Sequence, residues 1–366
     1  MIVLSLFDGI SGARTALDKL NIPIKYYASE VDKNAINISR YHYPDIIQLG
    51  DVTKITRDMI DGEVDLICGG SPCQSMSAMA GQEESGLEKG ASTLFWEYLR
   101  VLKLFKPKYF LLENVASMKP ADKEKITKVV NEIYPDSYCI KINSSILTAQ
   151  SRNRLYWTNI PDVKMPENKG ILLKDIIDFS VTDGKSYYYT KEGKKIELTQ
   201  TYVGNTLSFK DTLLNLGITE LYTYDYAENN NEFDKEKYPR EGETRPKNGY
   251  KIDVTEKINK TRANKYRLEH IRGVSQKSRC LGTGCMSIAN TSGTGLFVKG
   301  VYRSLTILEC ERLQGLPDQH TKISKDDNGS EYKTPRTHRA KAIGNGFTIP
   351  VVAHILSFIP KDIYDL

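Results

Sequence analysis

The first 160 residues alternate short apolar runs with segments of helical period, and that rhythm constrains the fold more than anything else in the chain. Runs fall at Ile2–Leu6, Ile24–Ala28, Ile46–Leu49, Leu66–Cys68, Tyr109–Leu112, Cys139–Ile142 and Leu155–Thr158. Alternation of this kind predicts a mainly parallel sheet with helices on both faces. Ligands bind such sheets beyond the carboxyl ends of the strands. Polar or glycine-rich signals stand at five of those ends: Phe7 to Gly12, Glu30, Asp51, Cys73 and Glu113.

A chain of 366 residues with 40% hydrophobic content has room for a large core and for two domains. No stretch approaches the roughly twenty unbroken apolar residues of a membrane span, and the start, MIVLSLFDGI, lacks a basic leader. A soluble, cytoplasmic protein without a membrane partner is therefore expected. The six cysteines (68, 73, 139, 280, 285 and 310) are dilute and scattered, the pattern of reduced thiols. Cys280 and Cys285 have metal-like spacing but no second Cys/His pair near them, so no metal is expected. The net charge of +5 is uneven: residues 240–279 hold twelve Lys/Arg against five Asp/Glu. Such a block suits a polyanion partner, although a solvated loop would read the same way.

The strand ends suggest a nucleoside ligand. Phe7-Asp-Gly-Ile-Ser-Gly12 lets backbone pass close to a bound molecule before a helix beginning near Ala13, or serves only to pack helix on strand. Glu30 follows some twenty residues later, where a carboxylate can accept both ribose hydroxyls, and Asp51 could accept from an adenine amino group. No phosphate-cradling motif is present, which favours a cofactor without a pyrophosphate. S-adenosylmethionine meets that description. Cys73 follows a strand that breaks into Gly69-Gly70-Ser71-Pro72, a turn able to hold one thiol in an open crevice. A cysteine at a strand end otherwise reads as a small buried hydrophobe, as Cys68, Cys139 and Cys310 do. Glu113 alone could equally be a carboxylate at a helix N-terminus.

Taken in order, FDGISG (7–12), SEVDKNA (29–35), GDVTKI (50–55), GGSPCQSMS (69–77), STLFWEYLRVL (92–102), ENVASM (113–118), QSRNRLYW (150–157), RSLTILECERLQGLPD (303–318) and AIGNGFTIP (342–350) resemble the cytosine-C5 DNA methyltransferase family. The resemblance covers roughly 1–160 and 300–366. GGSPC and the ENVASM segment are also similar to animal de novo DNA methyltransferases, whereas the rest looks bacterial or phage-like. It implies an α/β, Rossmann-like S-adenosylmethionine-dependent methyltransferase fold: a catalytic and cofactor-binding domain of 1–160 completed by about 335–366, and a smaller target-recognition domain of 161–334.

In the mechanism the resemblance implies, Cys73 attacks cytosine C6, the ring takes the methyl group at C5, and loss of the C5 proton expels the thiol. Glu113 would hold or protonate N3 and bind the exocyclic amine. Arg152 and Arg154, two apart on a strand and so on one face, would bind the pyrimidine carbonyl and a phosphate and favour the thiolate. Around the cofactor, Phe7, Gly9 and Gly12 would flank the methionine part, Glu30 the ribose, Val31 the adenine face and Asp51 its edge. Pro72 and Leu94 would close the pocket, with Asn345 on a returning C-terminal turn. Gln74, Ser77, Gln150, Arg262, Lys265, Arg267, Arg272, Lys277 and Arg279 are the candidate DNA contacts.

A base inside a duplex hides C6, so the cytosine must be swung out, and double-stranded DNA is the expected partner. A monomer is expected, and a cognate restriction endonuclease is a partner the resemblance allows, in a bacterial or phage-infected cell. An RNA cytosine methyltransferase of the same fold would use the same Cys73 and Glu113 with a shorter recognition region. A non-catalytic DNA-binding regulator would be expected to lose Cys73, Glu113 or the arginine pair.

Overall fold

The computed structural model describes residues 1–71, 94–177, 271–273, 275–282 and 301–364, with short strand segments at 188–189, 220–223, 250–253 and 295–298. All seven apolar runs form strands: β1 (Ile2–Leu6), β2 (Lys25–Ser29), β3 (Ile47–Gln48), β4 (Leu66–Gly69), β5 (Tyr109–Val115), β6 (Tyr138–Asn143) and β7 (Asn153–Thr158). They make one sheet in the order β3-β2-β1-β4-β5-β7-β6. The pairings from β3 through β5 are parallel, and β7 runs antiparallel to both β5 and β6. The expected mainly parallel sheet is therefore present. Because β1 lies between β2 and β4, the chain leaves β1 in one direction and returns on its other side, the switch point beside which open sheets of this kind bind ligands beyond the carboxyl ends of their strands.

Helices α1 (Gly12–Lys19), α2 (Lys33–His42), α3 (Leu94–Phe105), α4 (Pro120–Asn131), α5 (Ile307–Gln314), α6 (Arg336–Asn345) and α7 (Ile349–Leu356) cover the sheet. The strand period of two sends neighbours to opposite faces. Val3 packs in a cluster with Leu17 of α1, Ile38 of α2, Leu313 of α5 and Val351 of α7. Leu4 and Leu6 pack with Leu99 of α3, Ile126 of α4 and Trp157. Local signals agree with this packing: Asp32 caps α2 by accepting from the Asn34 N–H at 3.0 Å, and Pro120 opens α4.

The C-terminal segment is held to the sheet by its own sequence logic. Thr306 and Glu309 form a reciprocal capping box at the start of α5, with Thr306 N donating to Glu309 at 2.8 Å and Glu309 N to Thr306 Oγ1 at 3.2 Å. Gly315 ends α5 at φ 73, where a Cβ would lie 2.3 Å from Pro350 Cδ, so both backbone and space require glycine. The Glu311 carboxylate, fully buried, accepts from Gln319 N, Thr321 N and Arg339. A hairpin of β14 (Ile323–Lys325) and β15 (Glu331–Lys333) is tied to α2 by Arg40 to Asp327 at 2.6 Å and Asn37 to the Tyr332 hydroxyl at 2.9 Å.

Between these parts run two small three-stranded sheets. One joins β8 (Tyr188–Tyr189), β9 (Glu220–Thr223) and β10 (Tyr250–Asp253), all antiparallel. The other joins β11 (Ile271–Gly273), β12 (Gly295–Val298) and β13 (Val301–Ser304), with β11 parallel to β12 and β13 antiparallel to it. Some residues from the span 161–334 also join the core beside the sheet. Leu173, Ile177, Leu281, Leu305, Ile307 and Leu313 lie in the same apolar cluster as Val3. Leu173 stands in a three-residue 3-10 turn and Ile307 and Leu313 in a helix of eight residues, elements too short to carry a readable period, and Ile177, Leu281 and Leu305 lie outside helices and strands. Among the described residues no helix is long and apolar enough to cross a membrane, and no group of three His, Cys, Asp or Glu could hold a metal.

Candidate active site

Glu113 lies within β5, two residues before its end, and not at the head of a helix, since α4 begins only at Pro120. The dipole reading of this carboxylate therefore gives way to a strand position. In the antiparallel register Val115 faces Arg154 and Glu113 faces Tyr156, so Glu113 and Arg154 are diagonal neighbours on one face. Arg154 Nε donates to Glu113 Oε1 at 2.6 Å, with both side chains largely buried. The other carboxylate oxygen lies over Gly70: a Cβ there would come 2.7 Å from Glu113 Oε2 and 3.3 Å from the Phe347 ring. Gly70 is thus the space in which Glu113 sits.

Ser71 follows, buried, and its Oγ accepts from Asn114 Nδ2 at 3.2 Å, while Val115 N donates to Asn114 Oδ1 at 2.7 Å. The turn leading to Cys73 is therefore fixed at its root to the strand that carries Glu113. Cys73 itself, with Pro72, Gln74 and Ser77, lies outside the described residues, as do Arg262, Lys265 and Arg267. Burial pushes the Cys68 thiol up and the Cys139 thiol up to about 11, which suits packing roles.

The crevice beyond β1 has unusual backbone. Phe7, Gly9 and Ser11 all adopt left-handed φ, at 55, 59 and 57, a conformation that costs energy in the two that carry a side chain. Gly9 N donates to Glu30 Oε2 at 2.8 Å, and Val31 N and Asp32 N both donate to Glu30 Oε1 at 2.8 Å. Oε2 keeps accepting capacity on the open side. A Cβ on Gly9 or Gly50 would meet nothing within 4 Å, and Val31 stands 68% exposed, an apolar side chain beside that opening. Asp51 accepts from Thr53 N at 3.0 Å, and this bond lowers its pKa. Leu94, the first residue of α3, is half-buried against the second core cluster, and Asn345 is exposed at the end of α6.

Three expectations need correction. Arg152 precedes β7, and instead of facing a ligand beside Arg154 it is 5% exposed. Its guanidinium donates to the carbonyls of Leu281 at 2.8 Å, Gly346 at 3.1 Å and Gly344 at 3.3 Å, and lies 3.5 Å from Cys280 Sγ. Those acceptors consume its fork of donors. Gln150 is fully buried and cannot reach DNA: its amide donates to Leu313 O and Gln314 Oε1 and accepts from Leu281 N. Lys277 Nζ donates to Ser145 O at 2.7 Å, Thr148 O at 3.1 Å and Ile171 O. Arg272 and Arg279 are half-buried.

Those corrections reveal a seam that sequence reasoning missed. Gln314 Nε2 donates to Ile343 O and Gly346 O, and its Oε1 accepts from Thr348 Oγ1. With Gln150 and Arg152 it stitches residues 276–281 and the Gly344–Gly346 turn to the start of β7. Arg152→Leu is expected to lower stability by about 3 kcal/mol, because orphaned buried acceptors cost about 1–3 kcal/mol each and water can reach only some of them. The urea midpoint measures it, and Arg152→Lys should recover little, since a lysine donates from a single nitrogen and cannot reach from Leu281 O on one side of the guanidinium to Gly344 O and Gly346 O on the other.

Comparison with known proteins agrees with this architecture. A type II methyltransferase of Neisseria lactamica, M.NlaIV, is 30% identical over 221 residues, 54% of this chain and 51% of its own length. The orphan methyltransferase M.SPRI of Bacillus phage SPR is 32% identical over 251 residues, 62% and 56% of the two chains. This chain thus spans about half the length of the curated relatives it matches. The solved structure of the Entamoeba histolytica methyltransferase EhMeth superposes with a TM-score of 0.60 at 16% identity, covering 99% of this chain and 98% of that one. The fold is the Rossmann-like α/β fold of S-adenosylmethionine-dependent methyltransferases. Residues 1–361 match the model of the C-5 cytosine-specific DNA methylases, and the chain belongs to that family.

Proposed function

We propose that the protein transfers a methyl group from S-adenosylmethionine to C5 of a cytosine extruded from duplex DNA, through a transient bond between Cys73 and C6. The observation that carries this reading is the Glu113 carboxylate, held by Arg154 at 2.6 Å on the strand tied through Asn114 and Ser71 to the turn that leads into Cys73. A fixed carboxylate beside a thiol-bearing turn suits acid–base assistance at a pyrimidine N3 better than it suits binding alone.

The Phe7–Gly12 loop, the free capacity of Glu30 Oε2, the exposed Val31 and the space over Gly9 fit a nucleoside cofactor. Bound there, the cofactor supplies an electrophilic methyl group. The protein's own residues do the rest. Glu113 holds the proton at N3 and the exocyclic amine, making C6 electrophilic. The Cys73 thiolate adds there, raising electron density at C5. After methylation the C5 proton leaves to a base, and the electron pair of that C–H bond expels the thiolate. Arg154 orients Glu113, and Arg152 fixes the surrounding turns without meeting the base.

Extrusion of the base costs a few kcal/mol, and the basic block at 240–279 would supply phosphate contacts whose strength falls steeply with salt. A specific duplex sequence is the proposed substrate. Incubation with mixed-sequence duplex DNA and S-adenosylmethionine, followed by bisulfite sequencing, is expected to show 5-methylcytosine at one short motif. Methylation of transfer RNA with none on DNA would overturn the substrate assignment, and methylation of neither would overturn the activity.

A further inference from the structure

One buried acid has no part in the chemistry above. Asp8 lies in the Phe7–Gly12 loop, 6% exposed, between two residues with left-handed backbone. Its Oδ1 accepts from the Tyr26 hydroxyl at 2.7 Å and its Oδ2 from the Ser11 hydroxyl at 2.5 Å. Ser11 Oγ also touches Ser39 Oγ of α2. The backbone of the same residues closes the loop: Asp8 N donates to Ser29 O at 3.1 Å and Ser11 N to Asp8 O at 3.0 Å. Burial raises the pKa of Asp8, and the like charge of Glu30 raises it further. Two hydroxyl donors offset part of that burial, an arrangement more demanding than a tight turn needs.

The consequence follows from where the loop points. With Asp8 gripping Ser11 and Tyr26, Phe7, Gly9 and Ser11 stay left-handed, and Gly9 N–H stays aimed at Glu30 Oε2 at 2.8 Å. We propose that Asp8, with Tyr26, Ser11 and Ser39, is a positioning network that holds the Gly9 N–H and the Glu30 carboxylate in place for the nucleoside cofactor. Asp8 meets neither cofactor nor cytosine, so it acts on cofactor affinity and leaves turnover at saturation unchanged. This inference rests on the proposed use of S-adenosylmethionine.

Side-chain chemistry separates this role from mere packing. Asparagine at position 8 keeps one carbonyl oxygen for Tyr26 and offers its amide to Ser11 Oγ, which can then donate to Ser39, so the network survives. Alanine loses both contacts. Ser11→Gly removes the hydroxyl while accommodating φ 57 without strain.

Calorimetric titration with S-adenosylmethionine and with S-adenosylhomocysteine, paired with steady-state methylation, tests it on the full chain. Asp8→Ala and Ser11→Gly are expected to raise the cofactor Kd and KM by about tenfold or more with kcat within about threefold, and Asp8→Asn to stay within about threefold of wild type throughout. Should Asp8→Ala fail to fold, as judged by circular dichroism, Ser11→Gly decides. Wild-type binding with unchanged affinity in Ser11→Gly and in folded Asp8→Ala overturns the network's role alone, as does a loss confined to kcat. No binding by wild type overturns the cofactor reading itself and this inference with it.

Discussion

Replacing Cys73 by serine is expected to abolish methylation altogether and, with it, the trapping of the enzyme on DNA that carries 5-fluorocytosine at the target position. The attacking group must be an anion at neutral pH. A thiol lies within a few pH units of that state, whereas a serine hydroxyl has no adjacent general base among the residues proposed for the site. Fluorine at C5 leaves no proton to remove, so elimination stalls and wild-type protein stays covalently attached to C6. Denaturing gels read the adduct directly, and bisulfite sequencing reads the product. Retention of either signal by Cys73→Ser would place the nucleophile elsewhere and dismantle the proposed mechanism. The variant should fold, because the turn is fixed upstream of residue 73: a Cβ on Gly69 would lie 2.8 Å from Leu6 O, and Ser71 is bonded to Asn114. A full loss of activity in a protein with wild-type cofactor affinity therefore isolates the thiol.

The sheet was legible because its central strands β1, β4 and β5 are largely continuous apolar runs buried on both faces, and buried parallel strands announce themselves this way. The polar residues at the strand ends were legible for the same reason, since a carboxylate such as Glu30 or Glu113 at the end of such a run has no packing role to explain it. What the sequence concealed is how polar side chains are spent. Arg152 and Arg154 look equivalent in sequence, two apart in one polar run, yet Arg154 within β7 pairs with Glu113 while Arg152 just before it bonds backbone carbonyls more than a hundred residues away. Gln150 and Lys277 look like surface donors, but burial had already committed them to carbonyls in distant segments. No local pattern encodes such partners, because they depend on which turns the fold brings together. Asp8 escaped for the complementary reason: inside a glycine-rich turn it reads as turn chemistry, and only its burial beside Tyr26 and Ser39 gives it another role.

Glu113→Gln is expected to lower kcat by about 10²–10⁴-fold, the range for loss of a positioned acid–base group. Glutamine keeps the length of the side chain and can still meet the exocyclic amine, but it has no proton to place on N3, so addition of the thiol at C6 slows. Cofactor affinity should be unchanged, since Glu113 stands on β5 and the cofactor crevice is built beyond β1 and β2. A single-turnover experiment with 5-fluorocytosine DNA separates the steps: adduct formation should slow by the same factor as turnover, with binding of the duplex preserved. A fall of less than about tenfold would leave Glu113 as a binding group only. The structure favours the larger effect. Glu113 is held by the register of two paired strands, by Arg154 at 2.6 Å and by the absence of a side chain at Gly70, and a carboxylate fixed from three sides on a rigid strand is placed to transfer a proton, a demand that simple recognition of an amine does not make.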